Sequence, residues 1–216
     1  MKFSERLDSL TADVLAKASN EYASAVEATR KVIQDSGILR LALRAGQVFP
    51  SFSLPDASGS IVSASELLER GPLVVAFYRG GWCPFCNLEL NALQLALPEI
   101  KAQGGSLVAI SPQTPEQSAE TARHSQLSFH LLIDRQNLFA RELGLVYRLP
   151  AAMQTELRKT GLLLPTINGD DSWELPIPAT YLVRQDGVIV DALLDADFYH
   201  RKDPQELVKE LRELPH

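Results

Sequence analysis

The stretch Trp82-Cys83-Pro84-Phe85-Cys86 holds the only two cysteines among 216 residues, and two positions separate them. The apolar residues 72–78 before it predict a buried strand, and residues 87–103 after it predict a helix. The first turn of a helix carries unpaired N–H groups and the positive end of the helix dipole, and both favour a thiolate over a thiol. The stretch therefore predicts a redox-active thiol pair at a strand-to-helix junction.

Two other interpretations of the cysteines are a pair of inert buried thiols and half of a zinc site. Inert thiols rarely occur at this spacing directly after a strand. A structural zinc site needs four nitrogen or sulfur ligands. The chain has no third cysteine, and no ligand spacing joins its histidines, His124, His130, His200 and His216. We therefore expect neither a metal nor another cofactor.

The composition, with 45% hydrophobic and 22% charged residues, is that of a globular protein. The formal charge of −6 disfavours nucleic acid as a partner, because phosphate contacts need a basic surface. No apolar run approaches the ~18 residues of a membrane span, and residues 1–6 do not begin a signal peptide. A reducing cytoplasm is therefore the expected compartment, and there a lone cysteine pair of this spacing is more often catalytic than structural.

Residues 1–45 are predicted to form a helical N-terminal extension, with Gly37 as a helix stop. Apolar side chains recur there at steps of three and four residues, at Phe3, Leu7, Leu10 and Val14 and again at Tyr22, Val26, Thr29 and Ile33. We expect this extension to pack on the main domain. The alternative is a dimerisation arm or a lid over the thiol pair.

Residues 46–216 are predicted to form the main domain, in which strands and helices alternate. Further apolar strands are expected at residues 105–110 and 131–134, and a hairpin around Gln185-Asp186-Gly187 is expected near the end. Residues 148–177 show no strong periodicity and are predicted to be an irregular insertion. This order predicts an α/β fold with a central mixed sheet flanked by helices and an antiparallel edge pair.

One segment resembles the active-site segment of peroxiredoxins. It carries Phe77-Tyr78 ahead of the thiol pair and Asn87-Leu88-Glu89-Leu90 after it. Residues 46–59, with Gly46, Pro50, Phe52, Leu54, Asp56 and Gly59, resemble the N-terminal hairpin of the same proteins. Residues 46–214 thus resemble the peroxiredoxin-like (AhpC/TSA) branch of the thioredoxin superfamily, which implies a thioredoxin-like fold.

The chain departs from the peroxiredoxin pattern at three positions. Arg79 replaces a proline, Cys83 replaces Thr or Ser, and Pro178 stands where peroxiredoxins place an arginine. The Cys-Pro-Phe-Cys centre is similar to the glutaredoxin tetrapeptide. Pro178 resembles the cis-proline that faces the thiol pair in thioredoxin, which implies a role in presenting the backbone to a substrate.

Two orders of attack are open for the cysteines. Cys83 lies nearest the helix start and is expected to be the more exposed thiol, whereas Cys86 lies one turn in, on the buried face, and suits a resolving thiol. The resemblance to peroxiredoxins implies the reverse order. We favour Cys83 as the attacking thiolate, and expect oxidation to close a Cys83–Cys86 disulfide.

Three neighbours are candidates for supporting roles. Arg79 would favour the thiolate and hold a peroxide oxygen, or else be a solvated arginine at a strand end. Trp82 would be a platform for a partner, a lid over the disulfide or a core aromatic, and Pro84 would stiffen the turn. For the carboxylates Asp56, Glu89 and Asp134 we prefer a solvated or capping role over proton relay.

Three functions fit these residues. The first is a thiol-dependent peroxidase of peroxiredoxin type that reduces hydrogen peroxide or organic hydroperoxides and is recycled by thioredoxin, glutaredoxin or glutathione. The second is a thiol-disulfide oxidoreductase acting on protein or glutathione disulfides, and the third is a redox sensor without enzymatic activity. We favour the first. The N-terminal helices and the habit of the family suggest a homodimer.

Overall fold

The computed structural model describes residues 2–214. The first residue of the predicted extension 1–45 and the last two residues of the predicted domain 46–216, His216 among them, therefore lie outside the described residues. The strands are β1 (Ser53–Pro55), β2 (Ile61–Ser63), β3 (Leu73–Phe77), β4 (Ser106–Ser111), β5 (His130–Ile133), β6 (Val146–Arg148), β7 (Glu174–Pro176), β8 (Ala179–Val183) and β9 (Ile189–Leu194). The helices are α1 (Phe3–Lys17), α2 (Asn20–Asp35), α3 (Ile38–Leu41), α4 (Ala64–Arg70), α5 (Pro84–Ala102), α6 (Pro115–His124), α7 (Leu138–Glu142), α8 (Ala151–Lys159), α9 (Leu164–Asn168) and α10 (Pro204–Glu213).

The central sheet has five strands in the order β5-β4-β3-β8-β9. Strands β3, β4 and β5 are parallel, and β8 and β9 add as antiparallel neighbours. Every residue of β3 is buried, as expected for a central strand covered by helices on both faces. The predicted mixed sheet, its flanking helices and the late hairpin are confirmed.

Helix α5 follows β3 and carries the thiol pair at its start. Cys83 is its N-cap and Pro84 its first residue, where the missing N–H of proline leaves no helical hydrogen bond unmade. Its buried face includes Cys86, Leu90, Leu93, Leu97 and Ile100, and it packs against β4 and α10. The spacing of apolar residues therefore predicted this helix and its inward face correctly.

The N-terminal helices pack on the main domain close to the start of α5. Helix α1 contacts α5, and α2 contacts α8. Helix α2 begins where the Ser19 hydroxyl accepts a hydrogen bond from the Tyr22 N–H, 3.1 Å away. Its inner face buries Ala25, Val26, Thr29 and Ile33, whereas α1 has no fully buried residue. The expected helical extension is confirmed.

The prediction of an irregular insertion at residues 148–177 is wrong. This segment contains α8 and α9, and its ends pair as β6 and β7. Helix α8 buries only Met153 and Leu157, and α9 is five residues long. Such short elements contain too few turns to produce a periodic pattern.

The expectation of a cis bond before Pro178 is also wrong, because every peptide bond within residues 2–214 is trans. The trans form is favoured by about 0.5–1 kcal/mol even before proline. Here the Ile177 N–H donates to the Leu145 carbonyl at 2.8 Å, and Ala179 then enters β8 directly.

Within residues 2–214, no helix has the length and apolar character needed to cross a membrane.

Candidate active site

A tight loop joins β3 to α5 and fixes the position of the thiol pair. The Cys83 N–H donates to the Gly80 carbonyl at 3.1 Å, and the Gly81 N–H donates to Oε1 of Gln113 at 3.0 Å. Any side chain at Gly80 would collide with Trp82, and Gly80 has φ +147°. The loop therefore needs glycine there to bring the chain round into the helix.

Arg79 lies beside Cys83, with 3.0 Å between its Nη2 and the Cys83 Sγ. The residue is 7% exposed, which excludes the solvated interpretation. Its guanidinium stacks 4.2 Å from the ring centre of Phe198 and 5.3 Å from that of Trp82. Two aromatic rings thus hold a positive charge against one of the two sulfurs.

The two thiols differ in acidity. Burial by itself raises the pKa of Cys83, but the hydrogen bond from Cys86 and the charges of Arg79 and Arg201 outweigh it and hold that pKa well below its ordinary value. Burial, the hydrogen bond to Cys83 and the negative charge on Cys83 raise the pKa of Cys86 well above its ordinary value. One buried negative charge disfavours a second beside it, so the contact with Arg79 favours ionisation of Cys83 over that of Cys86.

The expectation that Cys83 is the more exposed thiol is wrong, since both cysteines are 0% exposed. Beside them lies a small cavity. Apart from residues 79–85, it is lined by residues from three distant parts of the chain, including Val14, Tyr22, Met153, Leu157 and Phe198. These segments cover the start of α5. A local pattern around the cysteines contains no information about such distant cover.

A buried ion pair, Glu89–Arg201, lies behind Cys86. Nε of Arg201 is 2.8 Å from Oε2 of Glu89, and the two side chains are 2% and 3% exposed. Thr180 donates to Glu89 at 3.1 Å, and Nη2 of Arg201 is 4.0 Å from the Cys86 Sγ. Burial raises the pKa of Glu89 although Arg201 and Thr180 oppose it. The preferred interpretation of Glu89 as a solvated or capping carboxylate is therefore wrong.

Sequence reasoning missed Arg201, which lies between β9 and α10 and belongs to no recognisable motif. Its guanidinium also donates to the carbonyls of Phe198 and His200, and this fixes its position. The peroxiredoxin pattern has an arginine at the position of Pro178. In this chain the positive charge near Cys86 comes instead from Arg201, in a different part of the sequence.

The remaining predicted site residues lie at or near the end of the sheet. Pro84 is exposed and Trp82 half-buried, and both line the cavity. Pro178 is buried immediately before Ala179, which pairs with Phe77 at the end of β3. Pro178 therefore lies at the end of the sheet where β3 stops and the loop to the cysteines begins.

Asp56 and Asp134 serve local structure, as the capping interpretation expects. Asp134 accepts hydrogen bonds from the N–H groups of Phe139 and Ala140 at 2.9 and 2.8 Å at the start of α7. Asp56 accepts from the N–H groups of Ser58 and Ser60 in a turn. No group of three or more His, Cys, Asp or Glu side chains in the described part of the chain is arranged to hold a metal.

Glu89→Ala is expected to destabilise the fold by about 3–5 kcal/mol, because it leaves the buried Arg201 without a counter-charge. The measurement is the free energy of unfolding of the reduced protein in urea. Glu99→Ala is the matched control on the same helix, since Glu99 pairs with Arg212 but is 42% exposed. It should cost less than about 1 kcal/mol, and equal losses from both variants would contradict the prediction.

Comparison with known proteins identifies one family. The model of the AhpC/TSA family matches residues 45–192. Peroxiredoxin Bcp of Escherichia coli K12 is 31% identical over 102 residues, which are 47% of this chain and 65% of that protein. The match thus spans just under two thirds of that relative. Chloroplastic peroxiredoxin Q of Triticum aestivum is 28% identical over 162 residues, 73% of this chain and 74% of that protein.

Solved structures agree on the fold. The crystal structure of peroxidoxin BcpB from Mycobacterium tuberculosis superimposes with a TM-score of 0.63 at 22% identity and covers 81% of this chain and 99% of its own. Peroxiredoxin Q of Xanthomonas campestris gives 0.57 at 16% identity, over 75% of this chain and 90% of its own. The fold is therefore thioredoxin-like, as the resemblance implied.

Proposed function

Because this chain belongs to the AhpC/TSA family, we propose that it is a thiol-dependent peroxidase that reduces hydrogen peroxide or organic hydroperoxides through Cys83 and Cys86. The observation that carries the proposal is the 3.0 Å contact between the Cys83 sulfur and the buried guanidinium of Arg79. A thiolate reacts with peroxides where a thiol does not, and this contact favours the thiolate.

In the first step the Cys83 thiolate attacks the outer oxygen of the peroxide. An S–O bond forms and the O–O bond breaks, so that Cys83 becomes a sulfenic acid and the inner oxygen leaves with the electron pair and takes up a proton. Arg79 donates a hydrogen bond toward the oxygen on which negative charge develops. Its position is held by Trp82 and Phe198 before substrate arrives, so little reorganisation is needed.

In the second step Cys86 attacks the sulfur of the Cys83 sulfenic acid. A disulfide forms, and the hydroxyl leaves as water with the proton that Cys86 loses. While Cys83 is a thiolate, its charge holds the pKa of Cys86 high. Oxidation of Cys83 removes that charge, and the nearby Arg201 then favours ionisation of Cys86 at the moment when its nucleophilicity is needed.

An external thiol reductant, a thioredoxin, a glutaredoxin or glutathione, would reopen the disulfide and complete the cycle. A reducing cytoplasm supplies such thiols. The homodimer suggested by the sequence stays a prediction.

The second candidate, a thiol-disulfide oxidoreductase, is favoured by one observation. The first cysteine of the Cys-Pro-Phe-Cys centre caps α5, and Pro178 is buried at the adjacent edge of the sheet. This arrangement suits exchange with a disulfide as well as attack on a peroxide.

Mixing reduced protein with hydrogen peroxide or tert-butyl hydroperoxide is expected to consume both thiols at a rate constant at least a hundred times that of free cysteine. The measurement is stopped-flow loss of thiol with less than one equivalent of peroxide. Oxidised glutathione is the comparison substrate. Peroxide reaction no faster than with free cysteine, together with fast consumption of oxidised glutathione, would replace the peroxidase with the oxidoreductase.

A further inference from the structure

The cavity beside the thiol pair is built partly by residues outside the family match. Its lining includes Val14 of α1 and Tyr22 and Thr29 of α2, whereas the match covers residues 45–192. Met153 and Leu157 of α8 also line the cavity. Helices α1 and α2, which lie outside the family match, thus meet α8 above the start of α5.

The lining combines one charge with apolar walls. Arg79 contributes the guanidinium that contacts Cys83. The hydroxyl of Thr29 already donates to the Ala25 carbonyl at 2.8 Å. Most of the remaining lining is apolar, with Val14, Leu149, Met153, Leu157 and Phe198. Hydrogen peroxide has no apolar part, so these walls contribute nothing to binding it.

We propose that this cavity receives the alkyl group of a short-chain organic hydroperoxide, and that α1, α2 and α8 thereby set the substrate selectivity of the enzyme. The inference rests on the proposed peroxidase function and specifies its substrate. The sulfur attacks the outer oxygen of R–O–O–H, and the alkyl group R is carried by the oxygen that leaves. The group R therefore points away from Cys83, and the cavity lies next to the guanidinium that binds the peroxide oxygens.

The size of the cavity limits the alkyl group. Its volume is about 100 Å³, whereas a dry apolar cavity of ~150 Å³ is known to hold benzene. A group of about four carbons therefore fits, and the phenyl-bearing group of cumene hydroperoxide does not fit without displacement of a wall. Each buried methylene favours binding by about fourfold, so a filled cavity yields a large preference over hydrogen peroxide.

The test compares kcat/KM for hydrogen peroxide, tert-butyl hydroperoxide and cumene hydroperoxide in the wild type and in variants of the walls. The wild type is expected to prefer tert-butyl hydroperoxide at least about tenfold over each of the other two. Met153→Ala enlarges the cavity, and the ratio of cumene to tert-butyl hydroperoxide should rise about tenfold. Val14→Asn makes a wall polar, and the ratio of tert-butyl hydroperoxide to hydrogen peroxide should fall at least fivefold.

Leu15→Asn is the matched control, because Leu15 is the next residue of α1 and is 53% exposed. Its three rate constants should equal those of the wild type. Since α1 has no fully buried residue, both asparagine variants are expected to fold, and circular dichroism checks this. Met153→Ala tests the contribution of α8 through a gain of activity toward cumene hydroperoxide, which misfolding cannot produce.

The outcomes separate this inference from the proposed function. Rapid reaction with all three peroxides at ratios that neither Val14→Asn nor Met153→Ala changes would overturn the selectivity proposal and leave the peroxidase intact. Equal effects of Val14→Asn and Leu15→Asn would also overturn it. Failure of the wild type to react with any of the three peroxides would overturn both.

Discussion

Cys83→Ser is expected to lower the rate constant for reaction with peroxide by more than about a thousandfold, as the loss of a catalytic nucleophile does in other enzymes. The reason is that Cys83 carries the negative charge of the pair, held by Arg79 at 3.0 Å. Cys86 remains in that variant, but the guanidinium of Arg201 lies 4.0 Å from its sulfur, so its thiolate is stabilised less than that of Cys83. The measurement is stopped-flow fluorescence of Trp82, which lies beside the thiol pair.

Cys86→Ser is the matched variant for the second thiol. It should react with one equivalent of peroxide at close to the rate of the wild type and then stop, because no thiol remains to close the disulfide. Dimedone labelling followed by mass spectrometry should locate the sulfenic acid on Cys83. Fast reaction in Cys83→Ser and none in Cys86→Ser would instead establish the order that the peroxiredoxin resemblance implies.

Arg79→Met is expected to lower kcat/KM at neutral pH by about a hundredfold to a thousandfold, the usual effect of removing one donor to a developing charge. The pKa of Cys83 lies below its ordinary value, partly because of the Arg79 charge. In the wild type the thiolate therefore persists to lower pH than in an ordinary cysteine, and the rate falls on acidification through that lowered pKa. Without Arg79 the pKa rises, so the fall in rate begins at higher pH and raising the pH recovers part of the loss.

The measurement for Arg79→Met is the pH dependence of alkylation by iodoacetamide, read alongside that of the peroxide reaction. Arg79→Lys is the control, because it keeps the charge but not the flat guanidinium between Trp82 and Phe198. It should retain most of the lowered pKa but not all of the rate. An unchanged alkylation profile in Arg79→Met would contradict the assignment of Arg79.

The strand, the thiol pair and helix α5 could be predicted because their signals are local. Residues 72–78 are uniformly apolar, and the inward face of α5 repeats every three or four residues over nineteen residues. The residues around the cysteines also sufficed to nominate Arg79, since it lies only four positions from Cys83.

The surroundings of the thiols could not be predicted in the same way. Arg201 pairs with Glu89 although the two residues are far apart in the sequence. No sequence pattern around either residue indicates that it has a charged partner. Cys83 was expected to be exposed because a helix start usually is. Its cover comes from α1, α2 and α8, which only tertiary packing brings together.

The complete burial of both sulfurs has a consequence for recycling. A folded reductant such as thioredoxin must touch a sulfur atom to exchange electrons with it, and neither sulfur-bearing residue reaches the surface. Helix α1 is the covering element that is least costly to displace, since none of its residues is fully buried. A peroxide is much smaller than such a reductant, so we expect movement of α1 to limit the repair of the disulfide more than its formation.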